Sequence, residues 1–580
     1  MVLVDKNDKI KTMTSKEKIA QLIAGAINEL QQEGRMAKFD IPPVIVQRND
    51  VFGYACNIAF QIKAQAGNPV ETAKDIVTKI NTNEFLVQAV NGFINFGLSN
   101  QLFLDCLNDI LSQKDKYGST NIGKGRTMVI DYSSPNIAKS FGIGHLRSTI
   151  IGQAIYNLYQ FLGWKCIGDN HLGDWGTQFG KLIYQIQKDQ IDLKTLDIAK
   201  LEELYVKFHQ NAQENPSIEE DARQWFKELE QGNKEALKIW EVCKKISLNE
   251  FDRIYSLLGV KIDNAIGESQ YNKGAKEVID LLVKKGIAQS SQGALIVEYP
   301  EEKLPPVVLK KSDGTTTYFA RDLAAIVYRD KKFKPDLIIY ETGNDQALYF
   351  KQTVRAAKDL DLKKEIQFAH IGHGLIRTQE GKFSTRKGQT VHLQDVLDEA
   401  IAKAGDIMSK VQQTKELSAK EKDELSKIVG IGAIKYNDLS RDPKQDIVFS
   451  WENILNLHGN SGPYIQYVYA RCQSILEKAN AKNVGKTEFS SFNQAEIEVL
   501  KLLEQFPMIL EEAHNNFSAS IICNYIFSLC QKFNYFYETC PIIAGENKDQ
   551  KNFRLALVKA VAQVIKNSLN LLGISAPAKM

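Results

Sequence analysis

The chain has 580 residues, 43% of them hydrophobic and 25% charged, with a formal net charge of +3. That length exceeds what one hydrophobic core fills and implies roughly three or four domains. The near-neutral balance excludes a blanket polycation, so a nucleic-acid partner has to be met by local basic patches. No apolar run reaches the ~18 residues of a membrane span, and the opening Met1-Val2-Leu3-Val4-Asp5-Lys6 turns charged too soon for a signal peptide. The eight cysteines (Cys56, Cys106, Cys166, Cys243, Cys472, Cys523, Cys530 and Cys540) never form Cys-x-x-Cys, and no Cys/His cluster has zinc spacing. The expectation is a cytoplasmic protein with reduced thiols and no metal site of its own.

In chain order, residues 1–115 read as a small α/β module. Helical periodicity in Ser15–Glu33 leads to an extended run Pro43–Val46, a helical stretch Tyr54–Gly67, a helix Val70–Asn81 and a strand Phe93–Phe96. The polar, glycine-bearing stretch Lys114–Arg126 reads as a linker. The apolar strand Thr127–Asp131 then feeds a loop and a helix from about Gly144. Further buried strands are expected at Trp164–Gly168, Leu295–Tyr299, Leu337–Glu341 and Phe368–Gly372, alternating with helices. That alternation predicts an α/β, doubly wound, Rossmann-like parallel sheet over 122–395. Lys, Glu and Gln dominate at about 185–251, read as a helical insertion, and 396–580 reads as an all-α domain.

Three segments carry chemistry. Gly142-Ile143-Gly144-His145 lies between a strand and a helix, so small residues let a phosphate approach backbone amides at the helix's positive end, with His145 in the first turn. A dinucleotide fingerprint is the rival, but Arg147 stands where that pattern needs Gly or Ala. Tyr318 and Asp322 fall at i and i+4, on one face of a helix that begins after Thr315-Thr316-Thr317. Lys382-Phe383-Ser384-Thr385-Arg386-Lys387-Gly388 is a basic, glycine-bounded turn.

Together these segments resemble the arginyl-tRNA synthetases, a class I family. Ser133–Gly152 resembles its first signature, with Gly142 in place of the usual first His, and Lys382–Gly388 resembles its second, with Thr385 in place of the second Lys. The resemblance implies ATP at Gly142, Gly144, His145, Phe383, Ser384 and Lys387, with Mg²⁺ accompanying it and no metal-ligating residue of the chain. It implies His145, Lys139, Lys382 and Arg386 as catalytic groups, Lys139 substituting for the missing lysine. It implies an arginine pocket of Asp131, Asn136, Glu268, Tyr318, Asp322 and Gln346; a guanidinium with five donors calls for such carboxylates.

His171–Gly180 resembles another block of the family beside the active site, read as supporting the tRNA 3′ end, as shaping the arginine pocket, or as a packed turn before a helix. Gly462–Arg471 resembles its anticodon-binding helices, and Phe52–Asn57 its additional N-terminal domain. The implied activity is ligation of arginine to its tRNA by a monomer with no membrane association and no editing domain. Adenylate formation is expected to need tRNA, and transfer to go to the terminal 2′-hydroxyl. A catalytically silent RNA-binding relative, suggested by Gly142 and Thr385, is the alternative.

Overall fold

The computed structural model describes residues 14–49, 52–378, 392–411, 416–481, 484–489, 491–544 and 547–580, and the backbone of 381–382. The N-terminal module is a four-stranded antiparallel sheet in the order Val46–Asn49, Gly53–Cys56, Phe93–Leu98, Phe85–Val90. Helices Ser15–Gln32 and Pro69–Lys79 cover it and share its core of Ile19, Ile23, Ile27, Tyr54 and Phe96. Thr14 and Glu17 close a reciprocal capping box on the first helix.

One expectation fails in this module, and another meets a paired strand only at its last residue. Of the extended run at 43–46 only Val46 is in a strand, and Tyr54 belongs to a strand rather than a helix. Tyr54 and Cys56 are buried while their neighbours are less so, a period of two that a helical reading obscures. Two short helices, Ile58–Gln61 and Lys63–Ala66, follow.

The stretch expected as a linker is packed. Asn567 Nδ2 donates to the Lys114 and Tyr117 carbonyls, Gln563 and Lys566 reach Asp115, and Tyr117 is buried.

The central sheet has five strands, all parallel, in the order Gln367–His373, Leu337–Gly343, Thr127–Asp131, Lys165–Leu172, Asn264–Gly267. Four of these strands lie close to where they are expected, at Thr127–Asp131, Trp164–Gly168, Leu337–Glu341 and Phe368–Gly372, but Leu295–Tyr299 is not in this sheet. The strand Ala294–Tyr299 belongs to a separate antiparallel sheet with Ala288–Ser291 and Leu304–Lys310. Gln292 and Gly293, both at positive φ, make a two-residue hairpin that forces antiparallel pairing. The fifth parallel strand, Asn264–Gly267, is four residues long and lacks the apolar run that marks the others.

Three helices, Ile198–Glu214, Ile218–Glu230 and Lys234–Leu258, fill the insertion. The C-terminal part is helical: Leu393–Ser409, Ala419–Leu439, Gly462–Lys478, Gln494–Asn515, Ala519–Thr539 and Lys548–Leu571. Residue 396, where the sequence reading begins this part, lies inside the first of these helices. A two-residue strand, Ile447–Val448, pairs with Ile376–Thr378, which also pairs with the backbone of Gly381–Lys382. Sheet, insertion and bundle share one core, running from Met128 and Ile150 through Phe251 to Val468 and Leu557.

Candidate active site

Thr127–Asp131 is the first strand of the sheet, yet it lies between the second and the fourth. The crossover leaving it runs to Lys165–Leu172 on one side, whereas the crossover leaving its other neighbour, Leu337–Gly343, runs the opposite way to Gln367–His373, and such a switch point leaves a crevice where open α/β sheets bind ligands. The loop 132–143 crosses that crevice. Ser133, Ser134 and Ala138 all hold positive φ, a costly conformation for non-glycine residues that needs outside support. Support comes from several side chains: Ser148 Oγ accepts from Ser133 N (2.9 Å), Asn170 Oδ1 from Ser134 N (3.0 Å) and Ser247 Oγ from Ala138 N (2.8 Å). Tyr255 and Thr149 bond the Ser133 hydroxyl.

Where this loop ends, the helix Gly144–Phe161 begins without a side-chain cap, and Gly144 is exposed with open space where a Cβ would stand. Gly142 bridges to His392, which ties the loop to the start of the helical bundle. His145 packs edge-on to Phe141, ring centres 5.4 Å apart, and its Nδ1 is buried without a partner. Burial lowers its pKa, so the ring is neutral at pH 7 and offers one N–H donor. Lys139 is exposed, its Nζ 5.1 Å over the Tyr205 ring of the insertion. Lys382 is described by its backbone alone, and Phe383, Ser384, Arg386 and Lys387 lie outside the described residues.

The other end is built on the helix Tyr318–Phe333. Tyr318 is 60% exposed and leans on Tyr349, ring centres 5.5 Å apart. Asp322, one turn on, accepts from the Tyr349 hydroxyl and lies 3.5 Å from His171 Nε2. Burial raises the Asp322 carboxyl, and His171 partly opposes the rise. Glu268 takes Arg321 through Nε and Nη2, both at 3.1 Å, and burial raises it as well. Gln346 is exposed on the turn Asn344–Gln346, directly after the strand Leu337–Gly343. Asn136 is exposed too, bridged to Gly173, which has no Cβ to clash with it.

Asp131 stands differently from the sequence expectation. Its Oδ2 is 2.6 Å from Arg329 Nη2 and its Oδ1 accepts from Ser134 Oγ (3.1 Å), so both oxygens already have protein partners. Arg329 is 1% exposed and its Nε also binds Asp169 at 2.7 Å. Burial works against the charged guanidinium, but the two carboxylates more than offset it and raise its pKa.

Asp169, Arg329 and Tyr349 were missed from sequence, and His171 is anticipated only as the first residue of the block read as shaping the pocket. Arg329 lies seven residues beyond Asp322, two turns along the same face, which is the signal that could have found it. The strand carrying Asp169 and His171 runs to Leu172, four residues past the expected end at Gly168, because its last residues are polar.

The block His171–Gly180 is packed in its middle. Asp174 is fully buried, bound by Lys244 Nζ (2.8 Å) and by Ser269 through N and Oγ. Trp175 packs edge-on to Trp240. Arg147, excluded from the dinucleotide pattern, is buried and joins Asp438 of the bundle at 3.0 Å. In the bundle, Tyr464 and Tyr469 of Gly462–Arg471 are buried, while Arg471 lies between the rings of Tyr467 (4.9 Å) and Tyr537 (5.1 Å). Tyr467, Arg471 and Tyr537 line a cleft of about 930 Å³.

Residues 106–451 match the family described as tRNA synthetases class I (R), catalytic domain. Residues 465–580 match the DALR anticodon binding domain, and 17–98 the arginyl tRNA synthetase N terminal domain. The sheet, its switch point and the helix at Gly144 are thus those of a class I tRNA synthetase catalytic domain. The arginine–tRNA ligase of Halothermothrix orenii is 39% identical over 573 residues, 97% of this chain and 99% of that one. That of Clostridioides difficile is 37% identical over 568 residues, again 97% and 99%. The arginyl-tRNA synthetase structure from Plasmodium falciparum has a TM-score of 0.81 at 26% identity, covering 99% of this chain and 100% of that one. The Thermus thermophilus arginyl-tRNA synthetase, at 21% identity, shares the fold with a TM-score of 0.79 over 98% of this chain and 100% of its own. The chain belongs to the arginyl-tRNA synthetase family.

Proposed function

We propose that this chain ligates arginine to its tRNA. One carboxylate oxygen of arginine attacks the α-phosphorus of ATP, the bond to the leaving pyrophosphate breaks, and arginyl-adenylate forms. A terminal ribose hydroxyl of the tRNA, assigned as the 2′, then attacks the adenylate carbonyl, and AMP leaves with loss of the hydroxyl proton. Such steps ask the protein for in-line placement and charge stabilisation rather than covalent work.

In this reading neutral His145 and the uncapped amides of the helix Gly144–Phe161 donate to the phosphates. Lys139, Lys382, Arg386 and Lys387 add positive charge, and Gly142, Gly144, Phe383 and Ser384 shape the nucleotide site. Asp322 takes the guanidinium, with Tyr318 against its flat face and Glu268 as a second acid. Asn136 and Gln346 hold the α-amino and carboxylate groups. Asp131 acts through Arg329, as a wall of the pocket.

The observation that carries the reading is the half-buried Asp322 carboxylate, its pKa raised by burial, on a helix over the same sheet edge that bears His145. A carboxylate that pays for desolvation is stabilised by a cationic ligand, and a ligand lacking the guanidinium leaves it unpaired.

Among the described residues no three His, Cys, Asp or Glu side chains converge to hold a metal. Mg²⁺ is assigned to the triphosphate it accompanies. The Arg471 cleft suits splayed anticodon bases, which stack on aromatic rings and guanidinium planes. No helix among the described residues is long and apolar enough to cross a membrane. The eight free cysteines accord with the cytoplasm, and a monomer suffices because one chain supplies every assigned residue. Arginine-dependent charging of total tRNA by the purified protein tests the assignment; ATP–pyrophosphate exchange with and without tRNA tests whether activation needs the tRNA.

A further inference from the structure

The tetrapeptide His370-Ile371-Gly372-His373 spells in full the pattern that Gly142-Ile143-Gly144-His145 spells with its first imidazole missing. It starts no helix. It closes the edge strand Gln367–His373, where His373 stands in register with Gly343 and Ile371 with Glu341. Alternation along parallel strands therefore puts the Glu341 and His373 side chains on one face of the sheet. They meet there: His373 Nδ1 donates to Glu341 Oε1 at 2.9 Å. Glu341 is fully buried and its second oxygen has no partner, so His373 is the group that compensates its charge. The same stretch of strand accepts, at the Glu341 carbonyl, a hydrogen bond from Ser148 Oγ of the helix that carries His145 (2.8 Å). His373 is close enough to His145 for its charge to push the His145 pKa down.

With Nδ1 committed to the carboxylate, Nε2 of His373 is left as a donor, and it bonds no described residue. Burial alone would lower the His373 pKa, but the charge and hydrogen bond of Glu341 raise it overall, which favours the imidazolium. The position matters as much as the charge. His373 ends a strand beside the switch point, and the chain runs from it through Gly374 into Ile376–Thr378, which leads to the second signature.

We propose that His373, held in place by Glu341, gives the triphosphate of ATP the second imidazole contact that the signature helix lacks at Gly142. This rests on the reading of the crevice as an ATP site. His373 is then a phosphate-binding residue, and Glu341 a positioning residue that fixes its ring.

The test is ATP–pyrophosphate exchange by the full chain with tRNA present. Wild-type protein without arginine-dependent exchange would defeat the ligase reading itself. Given wild-type exchange, His373→Phe is expected to lower kcat/KM for ATP by about 10–100-fold, with the arginine KM nearly unchanged. Adding Gly142→His to that variant is expected to recover much of the loss, since it returns an imidazole to the helix end. Unchanged ATP kinetics in His373→Phe, or a loss shared equally by arginine and not recovered by Gly142→His, overturns the proposal.

His373→Phe strands a buried carboxylate, so Glu341→Leu with His373→Phe carries the same comparison if the single variant does not fold. The groups around His373 are Glu341, Arg147, Asp438, His145 and His370. Glu341→Gln removes the one charge that bonds His373, and is expected to make the ATP KM rise between pH 6 and pH 8 as the imidazolium is lost. A pH profile identical to wild type rejects the role given to Glu341.

Discussion

Arg329 and Asp131 meet at 2.6 Å, inside the protein, at the end of the strand from which the signature loop departs. With Asp169 on its other edge, the guanidinium ties the helix Tyr318–Phe333 to two adjacent strands. The pocket assigned to arginine is thus walled by a protein arginine that already satisfies two carboxylates, leaving Asp322 for the ligand.

Removing one member of such a buried pair leaves the others charged and unpaired. Arg329→Met is expected to cost about 3–5 kcal/mol of stability, read as a lower midpoint in denaturant unfolding. Arginine KM rises as well, because the helix that carries Asp322 loses its anchor. A variant with wild-type stability would show that the triad contributes little.

Asp322→Asn keeps the shape of the side chain and removes its charge. Arginine KM is expected to rise by about 100-fold or more, with the ATP KM changed far less; equal effects on both would reassign the residue. Linkage adds a second readout. Burial raises the carboxyl above its ordinary value, so the folded chain holds this proton more tightly than the unfolded one, and ionised Asp322 costs stability once pH exceeds the raised pKa. A bound guanidinium favours the ionised form. Arginine binding should therefore release protons and weaken as pH falls through that raised value, which titration calorimetry in buffers of different ionisation enthalpy measures directly.

His145→Ala removes a neutral donor from the proposed phosphate site. Loss of one such donor typically costs ~10²–10³ in rate, so adenylate formation should fall by that order while the unfolding midpoint barely moves. Unchanged exchange would remove His145 from the mechanism.

The N-terminal module is bolted to the bundle through Glu504, which is buried and accepts from the hydroxyls of Ser15 and Tyr54, the latter at 3.0 Å to each oxygen. Glu504→Ala orphans both hydroxyls and should cost about 1–3 kcal/mol. The effect should be local: hydrogen exchange speeds up in Ser15–Gln32 and Gly53–Cys56, while the strands Thr127–Asp131 and Leu337–Gly343 stay protected.

The sheet was legible where burial on both faces writes an uninterrupted apolar run, as in Thr127–Asp131 and Leu337–Gly343. It was not legible at Asn264–Gly267, which has no such run, or at Ala294–Tyr299, whose antiparallel partnership is decided by the turn at Gln292-Gly293. In the candidate site, helical spacing put Tyr318 and Asp322 on one face before any coordinates. Periodicity could not reveal Tyr349, His171 and Asp169, which reach the crevice from other elements across long sequence separations. Glu341 and His373 were passed over for a related reason: each reads as the polar end of a buried strand, and only the register brings the two together.

In the proposed function His145 and Asp322 hold opposite ends of one arginyl-adenylate. A crystal structure with a non-hydrolysable arginyl-adenylate analogue tests it most directly. The guanidinium is expected on the Asp322 carboxylate and the phosphate mimic within hydrogen-bond reach of the His145 ring. An analogue bound with its guanidinium elsewhere, or with His145 facing a different cavity, would contradict it.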